Sequence, residues 1–263
     1  MNTTNVPRLR QLCIAVPSLQ PLQCRLQRLF DLGEAYHDPH VAHWGLANAV
    51  LGVGRQFIEL IAPQTAADAP VQRFLARRPG GGGYLVVLTD PAIAARRAHL
   101  QALGARLITD GNLGVAGFHT LQVHPRDAGA CMLEFDHSDG GESWDGPYLP
   151  AGPDWATRVR SGCVSGLAGV TLQSPDPAAL RARWAALCGV APDHQGRLAL
   201  DGGWIDFEAG AEGLAALTLQ VRDMPSLLRR AHELGWAPEP QPDPSGRPQL
   251  RLAGLLWRLQ AAA

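Results

Sequence analysis

Lysine is missing altogether: all 23 basic residues of the 263-residue chain are arginines. That removes Schiff-base catalysis and lysine general bases at once. A net charge of −1 gives no field to recruit nucleic acid or an anionic membrane. The five cysteines are odd in number, contain no CxxC pair and lie mostly within apolar runs. They read as buried free thiols of a reducing compartment. No apolar run reaches the 18 residues of a membrane span, and the start MNTTNVPRLRQL lacks the apolar core of a signal peptide. A water-soluble, cytoplasmic protein is expected. There is no GxSxG, so no Ser/His/Asp nucleophile can be assigned by pattern. With 46% hydrophobic residues, the chain can still build one large core or two domains of about 130 residues.

What is present is one figure repeated four times. Leu12–Val16, Leu85–Thr89, Val170–Ser174 and Leu217–Val221 are short apolar strands. Each leads past a Ser or Asp (Ser18, Asp90, Asp176, Asp223) into a helical run that ends at a glycine (Gly33, Gly104, Gly189, Gly235). Those side chains can cap the helix, and glycine can close it in the left-handed conformation. Leu180, Trp184 and Leu187 share one face of the third helix. Strand material follows each helix: Trp44–Pro63, Phe118–Asp136, Arg197–Glu208 and Gln249–Leu259. Each unit therefore reads β-α-β-β-(β). Residues 138–165, rich in Gly, Asp, Ser and Pro and carrying Trp144, Tyr148 and Trp155, form an expected linker between halves 1–137 and 166–263. Four consecutive glycines, Gly80–Gly83, precede a strand and not a helix, so they read as a hinge and not a phosphate cradle.

Two of the hairpins set an acid among apolar neighbours. Glu59 lies between Ile58 and Leu60, and Glu134 between Leu133 and Phe135. Strand alternation puts Leu133 and Phe135 on one face, Met132 and Glu134 on the other. A carboxylate in such a place needs a cation or a set of donors. Both acids are candidate general bases or metal ligands. Asn48, sharing a face with Trp44, Leu46 and Val50, is a candidate substrate-binding residue beside Glu59. Thr120 and Gln122, with Phe118 and Met132, hold the matching places beside Glu134. His37, His40 and His43 crowd together in YHDPHVAH, yet no helix or strand fixes them, so a solvated loop is expected. His124 is expected to brace its own hairpin turn.

The phrases WGLANAVLGVGRQFIELIAP, GGGGYLVVLTDP and HPRDAGACMLEFD, set in four βαβββ units, resemble the vicinal oxygen chelate superfamily. This is the group of glyoxalases, bleomycin-resistance proteins and extradiol dioxygenases, and the phrases look like bacterial glyoxalase-like proteins. The resemblance is strong over about residues 8–137 and fainter beyond. It implies an α+β fold, a tandem repeat of four βαβββ modules paired into two cupped mixed-sheet domains. It also implies a divalent metal on the concave face, held by first-strand and last-strand residues. By position these are Gln11, Glu59, Tyr84 and Glu134, with Tyr84 standing where His is expected. An all-oxygen set of this kind suits Mg²⁺ or Mn²⁺ better than Zn²⁺. In the second half Gly169, Asp206, Ala216 and Arg258 fall at these positions. Gly and Ala cannot ligate, and Arg258 opposite Asp206 implies an ion pair. That half reads as a degenerate copy lined by Thr171, Gln173, Thr218 and Gln220.

This fold hosts many chemistries. The leading expectation is a small-molecule enzyme with its site in the first cup, doing lyase or isomerase chemistry on a substrate with vicinal oxygens. Glu59 or Glu134 would move a proton, with or without a divalent metal and without a nucleotide cofactor. The alternative is a metal-free protein of the same fold that sequesters an aromatic or hydrophobic compound among Trp44, Tyr84, Phe118 and Met132. No nucleic-acid or membrane partner is expected, and the chain is expected to be a monomer or homodimer.

Overall fold

A computed structural model describes residues 6–64, 70–236, 238–239 and 242–262. The first half contains β1 (Arg8–Ala15), α1 (Leu22–Phe30), β2 (Leu46–Val53) and β3 (Gln56–Pro63), then the connecting helix α2 (Pro70–Arg77). It continues with β4 (Gly82–Thr89), α3 (Ile93–Ala102), β5 (Leu107–Gly111), β6 (Phe118–Val123), the one-turn α4 (Pro125–Ala128) and β7 (Met132–Ser138). The second half contains β8 (Val164–Ser174), α5 (Pro177–Cys188), β9 (Leu198–Leu200) and β10 (Gly203–Ala209). It ends with β11 (Gly213–Val221), α6 (Met224–Glu233), β12 (Gln249–Leu252) and β13 (Leu255–Ala261). These are the four modules, and among the described residues only the second has three strands after its helix. None of the helices described is long and apolar enough to cross a membrane.

Antiparallel β1 and β4 form the centre of the first cup. β3 and β7 flank them in parallel, and β2 and β6 follow antiparallel, with β5 at the edge. β8 and β11 are the corresponding centre of the second cup, flanked by β10 and β13 and then by β9 and β12. The pairing of Gly83 with Leu214, together with an isolated bridge between Arg8 and Asp201, joins the two sheets. It explains part of the glycine run. Gly82 and Gly83 are strand residues of β4 and not a hinge, and a Cβ on Gly83 would come within 2.4 Å of Leu214.

Alternation sends Leu12 and Ile14, Ile58 and Leu60, Val86 and Leu88, and Leu133 and Phe135 to the convex side of the first cup. There they share one core with Val170, Leu172, Leu217 and Leu219 of the second cup and with the apolar faces of α1, α5 and α6. Helices of the two halves pack on each other, α1 on α6 and α4 on α5. Phe30 stacks on Trp257, the Trp184 indole donates to the Ala128 carbonyl, and Arg96 donates to the Leu187 carbonyl. The cap expectations hold in the second half, where Asp176 and Asp223 accept N–H from Ala179 and Ser226. They do not hold for α1, which starts at Pro21 without a side-chain cap and closes on left-handed Asp31 and not at Gly33. Asp90 instead accepts the Ala92 N–H and pairs with Arg96.

Candidate functional site

The concave face of the first cup collects Gln11 and Cys13 of β1, Glu59 of β3, Leu85 and Val87 of β4, and Glu134 and Asp136 of β7. Cys13 lies beside Glu59 in the β1–β3 register, and Val87 beside Glu134 in the β4–β7 register. Two bulges interrupt the β1–β4 ladder, leaving Arg10 and Tyr84 unpaired. They sit at equivalent places in the two modules, as do Ala168 and Ala215 in the β8–β11 ladder. Leu85, and not Tyr84, is therefore the counterpart of Gln11.

Glu59 is the hub of a hydrogen-bonded chain. Gln11 Nε2 donates to Glu59 Oε2 at 3.0 Å and Asn48 Nδ2 donates to Glu59 Oε1 at 2.6 Å. Each amide is itself held: Gln11 Oε1 accepts the Tyr148 hydroxyl at 3.1 Å, and Asn48 Oδ1 accepts the Asp38 N–H at 2.8 Å. Glu59 is only 7% exposed. Burial pushes its carboxyl up from the ordinary 4.5 to about 7; Asn48 and the Cys13 thiol pull the other way, and the charge of Glu134 adds to the rise.

Glu134 is equally buried and accepts a hydrogen bond from Gln122, whose oxygen in turn accepts from Thr109. Burial raises its pKa, against hydrogen bonds from Gln122 and Asp136. Asp136, two residues on and fully buried, is raised well above the usual carboxylate range by burial and then by Glu134. Both Asp136 oxygens and the neighbouring Thr120 hydroxyl lack a hydrogen bond of normal geometry. Burial and mutual repulsion thus both favour the protonated form of this adjacent pair.

The cup is covered, and both acids are buried. Tyr148 and Trp155 from the segment between the halves pack on Phe57, Tyr148 stacked at 5.0 Å and Trp155 edge-on at 5.3 Å. Arg10 lies over both rings, and burial lowers its pKa to about 10. At the other end Val71, Phe74 and Leu75 of α2 pack over Cys13, Ile61 and Leu85. Tyr84 belongs to this apolar end: it meets Phe74 edge-on, and burial pushes its phenol up to about 12. Met132 packs beside it and Phe118 is buried on β6. Trp44 departs from its expected place: it ends a 3-10 turn, Pro39–Trp44, and is 45% exposed, so it does not share the Asn48 face of β2. His40 and His43 lie on that turn, whereas His37 contacts the Asn48 carbonyl. His124 does brace its turn, accepting the Arg126 N–H at the start of α4.

The structure thus joins Gln11, Asn48 and Glu59 in one network and Thr109, Gln122 and Glu134 in another, with Thr120 beside Asp136 in the β6–β7 register. Tyr84, Met132 and Phe118 lie along the wall, and Trp44 is left outside. Asp136, Tyr148, Cys13 and Arg10 are additions. Asp136 could have been found by counting two residues from Glu134; Arg10 could not, because no sequence signal announces its bulge.

A divalent ion finds a poor donor set here. Both Glu59 oxygens and the Gln11 oxygen already accept protein hydrogens, and the counterpart of Gln11 is an apolar Leu85. Among the described residues no three His, Cys, Asp or Glu side chains converge as a metal site. The second cup differs further. Arg258 pairs with Glu208 through two hydrogen bonds, at 2.8 and 3.0 Å, and not with Asp206, which pairs with Arg197. Arg258 also donates to Thr171, which closes the centre of that cup.

A family model described as a glyoxalase-like domain matches residues 12–188. A search of curated proteins gives no match. Among solved structures, a variant of 4-hydroxymandelate synthase from Streptomyces coelicolor has a TM-score of 0.73 at 12% identity, covering 98% of this chain and 94% of that one. A hypothetical protein from Staphylococcus aureus has a TM-score of 0.66 at 12% identity, covering 97% of this chain and 100% of that one. Methylmalonyl-CoA epimerase from Streptomyces coelicolor, at 18% identity, covers 51% of this chain and 98% of its own, with a TM-score of 0.46. The chain belongs to the glyoxalase-like domain family and, with it, to the vicinal oxygen chelate superfamily.

Proposed function

We propose that the first cup is the active site of a small-molecule enzyme that moves a proton on carbon next to a carbonyl, with Glu59 as the base and no metal in the step. The observation that carries this reading is a buried carboxyl with a pKa of about 7, oriented by two amides. A base is most effective when its pKa lies near the working pH. Glu59 takes the proton from the substrate carbon. The Glu134–Asp136 pair, whose burial and mutual repulsion favour the protonated form, donates to the carbonyl oxygen as it gains charge. Return of a proton to the same or a neighbouring carbon completes an isomerisation; loss of a leaving group completes a lyase reaction. The partly exposed Tyr84, Gln122 and Met132 form the approach.

The test is deuterium wash-in. A panel of 2-oxoacids, 2-hydroxyketones and simple ketones is incubated with the protein in D₂O and followed by proton NMR. At least one member is expected to exchange the hydrogen beside its carbonyl. Glu59→Gln should slow that exchange by about 10²–10⁴-fold, and a chelator should leave it unchanged. Exchange that survives Glu59→Gln overturns the role of Glu59, and exchange abolished by the chelator restores a metal. A panel compound that binds without exchanging supports the binding-only reading of the same cup.

A further inference from the structure

The segment between the two halves carries one hydroxyl into the first cup, and it is fastened at several points. Arg10 donates to the Trp144 carbonyl at 3.0 Å, and the Trp144 indole donates to Asp201 of the second half at 3.2 Å. Arg8 holds the same Asp201 at 3.0 Å and the Glu142 carbonyl at 3.0 Å. The Leu149 N–H donates to the Ser138 hydroxyl at 3.2 Å, and the Trp155 indole to the Gly146 carbonyl at 3.0 Å. Between these anchors the Tyr148 ring stacks on Phe57, and the Arg10 guanidinium lies 5.0 Å from its centre. The ring thus has its own supports, and the hydroxyl is left for another task. Among the described residues that hydroxyl bonds only to Gln11 Oε1, at 3.1 Å, and both side chains are buried.

An amide beside a carboxyl group has two orientations. With its N–H toward Glu59, Gln11 donates to the carboxylate and accepts the phenol hydrogen. Turned over, it would present its oxygen to Glu59, and the buried Tyr148 hydrogen would have no acceptor among the described residues. We infer that Tyr148 is a positioning residue of the first cup, whose hydroxyl holds the Gln11 amide with its N–H on Glu59 and through it orients the base. The inference rests on the proton-transfer reading of Glu59. The ionised carboxylate repels a turned amide by itself, so Tyr148 matters most once Glu59 has taken the substrate proton. A turned Gln11 would then accept a hydrogen bond from the new Glu59 hydroxyl and retain the proton there. Held by Tyr148, Gln11 leaves that proton free to return to the substrate.

Tyr148→Phe removes the hydroxyl and keeps a ring on Phe57. The intact protein, labelled with nitrogen-15, is compared by NMR with Tyr148→Phe and with Gln11→Leu. The Gln11 side-chain N–H pair, recognised as the one lost in Gln11→Leu, should shift or broaden in Tyr148→Phe. An unmoved pair overturns the proposal. Deuterium wash-in then uses the panel compound that the natural protein exchanges fastest. Tyr148→Phe should lower its turnover by between about three- and tenfold, the worth of one neutral hydrogen bond, and leave KM within about twofold. In the Gln11→Leu background Tyr148→Phe should cost nothing further. Undiminished turnover, or equal losses with and without Gln11, would show that Tyr148 acts by packing alone and overturn its positioning role. If no panel compound exchanges, the reading of Glu59 as a base falls, and the amide resonances alone decide whether Tyr148 sets Gln11.

Discussion

Glu59 makes stability depend on pH in a direction opposite to that of most carboxylates. Its pKa is about 7 in the fold against an ordinary 4.5, so the native state holds the proton longer than the unfolded chain. Between those values the native state binds more protons, and stability falls as pH rises through the window. The contribution of this one group is at most about 3 kcal/mol, and the raised Glu134 and Asp136 act with the same sign. Urea unfolding at pH 5 and pH 8 should therefore show the protein weaker at pH 8, and Glu59→Gln should remove a substantial part of that difference. An unchanged difference would mean that Glu59 ionises normally. The concave placement of Asn48, Glu59, Glu134 and Gln122 was legible because strand alternation has a period of two and their neighbours are apolar, and that of Gln11 came from the resemblance. The resemblance, carried over by position, misplaced Tyr84 by one residue. A bulge adds a residue that periodicity cannot count, and β1 and β4 each contain one at the cup. Burial of the acids was not legible either, since it depends on segments far away in sequence.

At the level of elements, the contact between β4 and β11 depends on a missing side chain. A methyl group at residue 83 would overlap three atoms of Leu214 at 2.4 to 2.7 Å. Gly83→Ala is expected to destabilise the protein by about 1–3 kcal/mol, as overpacking does. Leu214→Ala in that background should recover part of the loss, which denaturant unfolding of the two single variants and the double variant can measure. A neutral Gly83→Ala would show that the strands can part without penalty. Order and type of the principal strands and helices were readable from the fourfold repeat. The destination of the segment after β7 was not. Its aromatic residues announced anchoring, but nothing in Tyr148 or Trp155 specified Phe57 as the partner. The exchange of salt bridges in the second cup has the same origin: Arg258 was paired with the acid at the equivalent module position, whereas its reach favours Glu208, two residues along β10.

At the scale of the molecule, one core serves both cups. Leu12 and Val86 of the first and Val170 and Leu217 of the second lie in a single buried cluster with helices from both halves. The two halves should therefore melt as one cooperative unit in calorimetry, with the calorimetric and van't Hoff enthalpies equal. Two separately reversible transitions would show instead that each cup folds alone. The interleaving also has a consequence for synthesis. A ribosome releases β1 to β7 before Tyr148 exists to cover Gln11, before Trp184 can reach Ala128 and before Leu214 can meet Gly83. At typical elongation rates the wait from Ser138 to Val221 lasts on the order of ten seconds. During that interval the nascent first half presents the apolar backs of α1 and β4 with no partner, so its safekeeping falls to the ribosome surface and to chaperones.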